Sequence, residues 1–247
     1  MNQFRTYTKF AIGDVHGSMK YLHALIGKCL AYAEKQQTLP HFIFLGDYVD
    51  RGPQSREVLS YLQHLPEILG PRSKVTCLRG NHDQMLIDAV LHHKVNSWFS
   101  NGGKETLNSY ATKPSNLRCD PLLGNYDPLL EAHAKWLGTL ALSFEDEYRF
   151  FCHAGVRPGV PLDRQEPYDL LWIRHEFLKF RHRHPKLIVH GHSATLSGPD
   201  LRTNRLNFDT GACMGGKVTA AVFNDAQQAP LGFLSVGLEI LKVGSGD

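Results

Sequence analysis

Short apolar runs recur along the first third of the chain, each followed by a polar turn and then by apolar residues at helical spacing. Lys9-Phe10-Ala11-Ile12 leads into Gly13-Asp14-Val15-His16-Gly17. Ser18 can cap the helix that follows, whose buried face is Leu22, Leu25, Ile26, Cys29 and Leu30. His41-Phe42-Ile43-Phe44-Leu45 leads into Gly46-Asp47-Tyr48-Val49-Asp50-Arg51-Gly52, after which Pro53 opens a helix marked by Val58, Leu59 and Leu62. Val75-Thr76-Cys77-Leu78 leads into Arg79-Gly80-Asn81-His82-Asp83, with Met85, Leu86, Ala89 and Val90 on the next helix. Three strand–turn–helix units in succession predict parallel strands joined by right-handed crossovers. They bring three polar turns to one edge, outside the carboxyl ends of the strands, where open α/β sheets keep their reactive groups.

From His92 to about Asp127 the pattern loosens into a loop-rich segment with short helices, for which a surface insertion and a substrate-facing role are equally expected. Asn101-Gly102-Gly103-Lys104 lacks the spacing and the preceding strand of a phosphate-binding loop. Leu129 to Leu137 reads as a helix with Trp136 and Leu137 buried. Leu140–Phe144 and Tyr148–Cys152 read as a hairpin that ends at His153-Ala154-Gly155. Tyr168 to Phe180 reads as a helix or loop-helix and carries Arg174. Lys186–Val189 is a strand ending at His190-Gly191-His192, and Arg205–Phe208 leads to Asp209-Thr210-Gly211. Val218–Phe223 and Phe233–Val243 are expected to complete a second, mostly antiparallel sheet. No boundary or linker interrupts the pattern, so residues 1–247 are expected to form one domain. Arg181-His182-Arg183-His184 reads as a solvated basic face, with contact to acidic phosphoprotein segments as the other reading.

A chain of 247 residues can bury a large core, and 42% hydrophobic and 21% charged residues describe an ordinary globular protein. A net charge of +3 gives no ground for nucleic-acid or membrane binding, and no apolar stretch approaches spanning length. Five cysteines without a CxxC pair argue against a disulfide framework and fit a reducing compartment. The polar, basic start from Met1 to Phe10 shows no signal peptide, and a cytoplasmic location is expected. Cysteine-based phosphate chemistry is excluded, because no cysteine has an arginine six residues later. No Gly-x-Ser-x-Gly elbow is present either.

What remains is oxygen and imidazole chemistry. An Asp-x-His pair just past a strand is a natural donor set for a borderline divalent ion. A carboxylate such as Asp47, with an oxygen on each side, can bridge two ions, and the adjacent Arg51 can hold a phosphate through its planar fork. Each turn taken singly reads equally as a capped helix start; three on one edge do not.

In order, spacing and strand-end context, Gly13-Asp14-x-His16-Gly17, Gly46-Asp47-x-x-Asp50-Arg51-Gly52, Gly80-Asn81-His82-Asp83, His153-Ala154-Gly155 and Gly191-His192 resemble the motifs of the PPP family of metallophosphatases. Trp98 with Asn101-Gly102-Gly103, and Asp209-Thr210-Gly211 with Gly215-Gly216-Lys217, look like the family's bacterial serine/threonine branch. The resemblance runs from about Phe10 to Ala221 and implies a calcineurin-like metallophosphoesterase fold. That fold is α/β, with two packed mixed sheets flanked by helices in four layers. It implies two divalent metal ions about 3.5–4 Å apart that share a hydroxide and polarise a phosphoryl oxygen. Mn²⁺ is expected first, with Fe or Zn²⁺ as the other candidates. Asp14 and His16 would hold one ion, Asp47 would bridge, and Asn81, His153 and His192 would complete the second. His190 competes for the last position, but the family's ligand follows the glycine, and His190 is expected to orient the site. His82 would protonate the leaving alcohol, with Asp50 fixing its tautomer and raising its pKa toward the working range. Arg51 and Arg174 would clamp the phosphate, with Arg79 as a third contact and Asn81 also facing the substrate. The implied substrates are phosphorylated proteins or small phosphoesters, serine and threonine first and tyrosine also admitted. A dinucleoside polyphosphate hydrolase on the same scaffold is the alternative, and Asp50 favours the phosphatase.

Overall fold

The computed structural model describes residues 6–111 and 126–238. The first three units form as the apolar spacing predicts. They are β1 (Tyr7–Ile12), α1 (Met19–Lys35), β2 (Leu39–Phe44), α2 (Ser55–Leu69), β3 (Lys74–Cys77) and α3 (Asn81–His92). β1 pairs in parallel with β2, and β2 with β3, so the turns after all three strands lie at one edge. Two short helices, α4 (Val95–Ser100) and α5 (Gly103–Tyr110), follow, and then α6 (Pro128–Gly138). Asp127 caps α6 by accepting the N–H of Leu129 at 2.8 Å. Leu137 is buried as expected, whereas Trp136 is only half-buried.

The hairpin appears as β4 (Ser143–Glu145) and β5 (Arg149–Cys152). Of the helix or loop-helix expected from Tyr168 to Phe180, two short helices form, α7 (Pro167–Trp172) and α8 (His175–Lys179), parted where Ile173 and Arg174 leave helical backbone. Then come β6 (Leu187–His190), β7 (Asp200–Leu201), β8 (Arg205–Asn207), β9 (Lys217–Phe223) and β10 (Gly232–Gly237). The sheet orders are β10-β9-β1-β2-β3 and β4-β5-β6-β8-β7.

This corrects one expectation. Val218–Phe223 and the described part of Phe233–Val243 do not join the second sheet; β9 pairs antiparallel with β1, and β10 with β9, extending the first. The second sheet has a parallel centre, β5-β6-β8, with antiparallel strands only at its edges. Parallel pairing sends the carboxyl ends of β5, β6 and β8 to one edge, which is how His153, His192 and Asp209 arrive together. Strands that short, without long intervening helices, carry no signal of direction in their sequence.

Alternation of side chains sorts the core into layers. Phe10, Ile12, Phe42, Phe44, Val218, Ala220 and Val222 pack against α1, α2 and α3. Their neighbours Ala11, Ile43, Ala221 and Phe223 face the other way, onto Phe151, Val189 and Leu206 of the second sheet. Phe150, Cys152 and Ile188 form that sheet's outer face, covered by Leu170, Ile173 and Phe177. The result is helix, sheet, sheet, helix, as expected. Among the described residues no helix is long and apolar enough to cross a membrane.

The pole away from the turns is closed by charge. Arg149 is fully buried, donating to both oxygens of Asp146 and to the carbonyl of Asn224 at 2.8 Å, with its guanidinium 4.6 Å from the ring centre of Phe223. Lys9 of β1 reaches the same carboxylate at 2.8 Å and also pairs with Asp225. One carboxylate thus ties β1, the β4–β5 hairpin and the turn after β9. These partners hold the Asp146 carboxyl below its usual range despite its burial. Its contribution to stability is therefore complete above about pH 4 and is lost as pH falls through the depressed value. Asp146→Ala leaves buried Arg149 with only the Asp225 carboxylate at 4.0 Å and is expected to lower stability by about 3 kcal/mol, read from urea unfolding at pH 7. The difference from the wild type should shrink below about pH 4.

Candidate metal and phosphate site

All six parallel strand ends deliver polar side chains to one place. β1 supplies Asp14 and His16, β2 supplies Asp47, and the turn after β3 supplies Asn81 and His82. β5, β6 and β8 supply His153, His192 and Asp209. Every one of these side chains is buried. The turns are tight: His16, Asp47, Asp50, Arg51 and His192 all have positive φ, between 42° and 71°. Non-glycine residues take this conformation only where surroundings hold them, and such strain concentrates at functional sites.

Asp83 is one of the groups that hold it. Its carboxylate accepts the N–H groups of Asp47 at 2.9 Å, Tyr48 at 3.0 Å and Gly80 at 2.8 Å, stitching the second turn to the third. The two backbones are so close that a Cβ on Gly80 would lie 2.2 Å from an Asp47 carboxylate oxygen. Asp14 is held across the molecule by the N–H of His192 at 3.1 Å.

Hydrogen-bond direction then shows which lone pairs the cluster presents. His16 Nδ1 lies 2.7 Å from the carbonyl of Val49, and His153 Nδ1 lies 2.9 Å from that of Leu45. A carbonyl only accepts, so both Nδ1 atoms carry hydrogens and both Nε2 atoms present lone pairs. His16 Nε2 stands 3.5 Å from one oxygen of Asp47, and His153 Nε2 3.4 Å from the other. Asn81 Oδ1 sits 2.8 Å from both His153 Nε2 and His192 Nδ1, and His192 Nε2 is buried without a partner. Burial, above all, holds the imidazoles neutral: His153 is pushed down to about 3, and His16 and His192 are also lowered. Burial and the neighbouring carboxylates push Asp14 and Asp47 well above the usual range.

Acceptors face acceptors here, and cations between them resolve that arrangement. The donor atoms of Asp47, His153 and His192 lie within 4.8 Å of one another, and His16 Nε2 stands 4.0 Å from Asp14 Oδ2 and 3.5 Å from Asp47 Oδ2, so Asp47 belongs to both groups. The residues present therefore fit a pair of metal ions.

His82 also has a second set of partners. Its Nδ1 lies 2.8 Å from Asp50 Oδ2, and Arg51 donates to its Nε2 at 2.8 Å and to His16 Nε2 at 3.0 Å. The expected rise in the His82 pKa is not found. Burial, then the charges of Arg51 and Arg174, push it down to about 3. Burial lifts Asp50 to about 7, against the hydrogen bonds it accepts from Thr106 and Trp98. Arg174 is exposed at the start of α8, and its charge is felt by His82, His153 and His192.

Arg79 is not brought to the cluster. Its guanidinium donates to Gln84 at 2.8 Å and to the carbonyls of Gly138 and Leu140 at 2.9 and 3.0 Å, so the expected third phosphate contact is corrected to a brace for the end of α6. His190 faces the outer layer beside Phe177 and bonds the carbonyl of Gly191 at 2.9 Å. Sequence reasoning gave Asp83 and Asp209 no role of their own, although both stood inside quoted motifs. Asp209 is buried next to Asp14 and raises its pKa.

Three comparisons bear on this site. The family described as calcineurin-like phosphoesterase matches residues 9–218. Serine/threonine-protein phosphatase 1 of Salmonella typhimurium is 34% identical over 221 residues, covering 86% of this chain and 90% of that protein. The asymmetrical bis(5'-nucleosyl)-tetraphosphatase PrpE of Oceanobacillus iheyensis is 26% identical over 236 residues, covering 87% and 88%. A crystal structure of a candidate diadenosine tetraphosphatase superposes with a TM-score of 0.63 at 20% identity, over 95% of this chain and 98% of the other. The buried carboxylate–imidazole cluster at the shared edge of two sheets and the match over residues 9–218 lead to one conclusion: the chain belongs to the calcineurin-like phosphoesterase family and is a metallophosphoesterase, a hydrolase of phosphoesters.

Proposed function

We propose that this hydrolase removes phosphoryl groups from serine and threonine side chains of proteins, with phosphotyrosine as a further substrate. The observation that carries this reading is the His82–Asp50 pair, 2.8 Å apart, standing at the rim of the metal donors. An acid is needed most where the leaving oxygen is a strongly basic alkoxide, as in phosphoserine.

Asp14 and His16 would hold one ion, Asp47 would bridge, and Asn81, His153 and His192 would hold the other. This all oxygen-and-imidazole set suits Mn²⁺ first, with Fe or Zn²⁺ next. When bound, the two ions supply Lewis acidity at the phosphoryl group and a water of lowered pKa. The chain's own groups do the rest. Arg51, whose fork now lies against two imidazole lone pairs, turns to the phosphate dianion that competes for it. Its departure frees His82 Nε2, and the incoming negative charge raises the His82 pKa, so the imidazole can take up a proton and pass it to the leaving oxygen. Asp50 receives Nδ1–H throughout and keeps Nε2 aimed outward. Arg174 adds a second charge from the opposite side.

The relatives that cleave dinucleoside tetraphosphates support a second reading, in which the leaving group is itself a phosphate and needs little protonation. A substrate panel separates the two: purified protein should turn over a phosphoserine peptide far faster than a dinucleoside tetraphosphate. The reverse order would replace the first reading by the second.

Chelator-stripped protein is expected to lose activity and to recover it best with Mn²⁺; full turnover without metal would sink the metal assignment. Asp47→Asn should cost more bound metal and turnover than His16→Ala, since only Asp47 is asked to serve both ions. Metal content measured on the two variants decides it. His82→Asn should keep both ions and lose about 10²–10⁴-fold in turnover of phosphoserine. It should lose much less on p-nitrophenyl phosphate, whose leaving group needs no proton. An equal loss on both substrates, or an emptied metal site, would remove His82 from the role of acid.

A further inference from the structure

The α4–α5 segment supplies no candidate metal donor, yet it reaches the reacting centre. Asp50 is fully buried, with φ at 71°. Trp98 Nε1 donates to its Oδ1 at 2.8 Å, and the Thr106 hydroxyl donates to the same oxygen at 2.7 Å. The Thr106 oxygen also accepts the N–H of Asp50 at 2.9 Å, so one side chain grips this residue by backbone and carboxylate together. The next residue, Arg51, has φ at 68° and donates its N–H to the carbonyl of Gly102 at 3.2 Å.

The approach is close enough to explain the Gly-Gly pair. A Cβ on Gly102, itself at φ 102°, would lie 2.8 Å from the Arg51 nitrogen, and one on Gly103 would lie 2.5 Å from the Trp98 ring. Trp98 and Thr106 are both fully buried, so of the two readings of this segment the surface insertion does not hold for α4 and α5. Two donors on Oδ1 fix the plane of the carboxylate and leave Oδ2 for His82 Nδ1.

We propose that Trp98 and Thr106 are positioning residues that act through Asp50 on His82, and that the α4–α5 segment thereby adapts the enzyme to leaving groups that must be protonated. This rests on His82 being the acid, as read above. Without the two donors, Oδ1 is a buried acceptor with nothing to accept. The carboxylate is then free to rotate, and Nδ1–H loses its fixed partner.

The test pairs Thr106→Val, which removes the donor at nearly constant shape, with Thr106→Ser, which restores it. Each is made in the wild type and in His82→Asn, and all are assayed with Mn²⁺ on a phosphoserine peptide and on p-nitrophenyl phosphate. Thr106→Val is expected to lower kcat on the peptide about 10–100-fold with KM nearly unchanged. It should change p-nitrophenyl phosphate turnover far less and add nothing in His82→Asn, while Thr106→Ser returns most of the loss. In the metal-free protein, the imidazole N–H resonance that disappears in His82→Asn should persist in Thr106→Ser and broaden in Thr106→Val. A fall of equal size on both substrates, an undiminished fall in His82→Asn, or an unchanged resonance would overturn the proposal. Should Thr106→Val melt at assay temperature, Trp98→Phe carries the same comparisons. If the wild type turns over neither substrate, the proposed function fails, and the imidazole resonance still decides whether the segment holds His82 through Asp50.

Discussion

Buried lone pairs that face one another are the constraint on which the rest of this structure depends. Oxygens of Asp47 and Asn81 point at imidazole nitrogens whose hydrogens are already donated to the carbonyls of Val49 and Leu45. Such an arrangement repels itself without a cation between its members, so it must be imposed by everything around it. Two sheets present six strand ends at one edge, left-handed turns aim the side chains inward, and Asp83 clamps two of those turns by three N–H groups. The strain and the repulsion are complementary to metal ions, and the fold holds the cavity in advance of them.

The same burial keeps all four imidazoles neutral, so it is their partners that tell them apart. His16, His153 and His192 turn toward the oxygens of Asp47 and Asn81, while His82, one residue from Asn81, is turned instead toward a carboxylate and an arginine. What distinguishes His82 is its company: Asp50 on one nitrogen and Arg51 on the other. The guanidinium of Arg51 is committed to His82 Nε2 and His16 Nε2, so the phosphate contact proposed for it requires that fork to let go of them.

Much of this was legible in the sequence, for identifiable reasons. Glycine-flanked polar turns after apolar runs marked Asp14, His16, Asp47, Asn81 and His82 as neighbours, because parallel strands leave no other place for them. The layer structure followed from alternation in Phe10–Ile12 and Phe42–Phe44. Three things were not legible. The sheet that β9 and β10 join is set by the pairing of β9 with β1, a strand near the other end of the described chain, which no local pattern records. Arg79 lies beside a motif glycine, and nothing in its neighbours shows that the carbonyls ending α6 would take its fork. The burial of Trp98 and Thr106 comes from a long-range clasp on Asp50, within a stretch whose polarity looked like surface.

The spread of the site along the chain also sets an order on its assembly. Asp14 and His192 touch across 178 residues, and the donors between them come from both sheets. A growing chain could gather Asp14, His16 and Asp47 once the first two strands had paired, but the remaining position must wait for β5 and β6. Contacts of such long sequence separation are slow to close, and the ordering entropy is incurred before they form. On the donor assignment proposed above, the second set of donors is complete only when the two sheets have come together, so a partly folded chain would lack it.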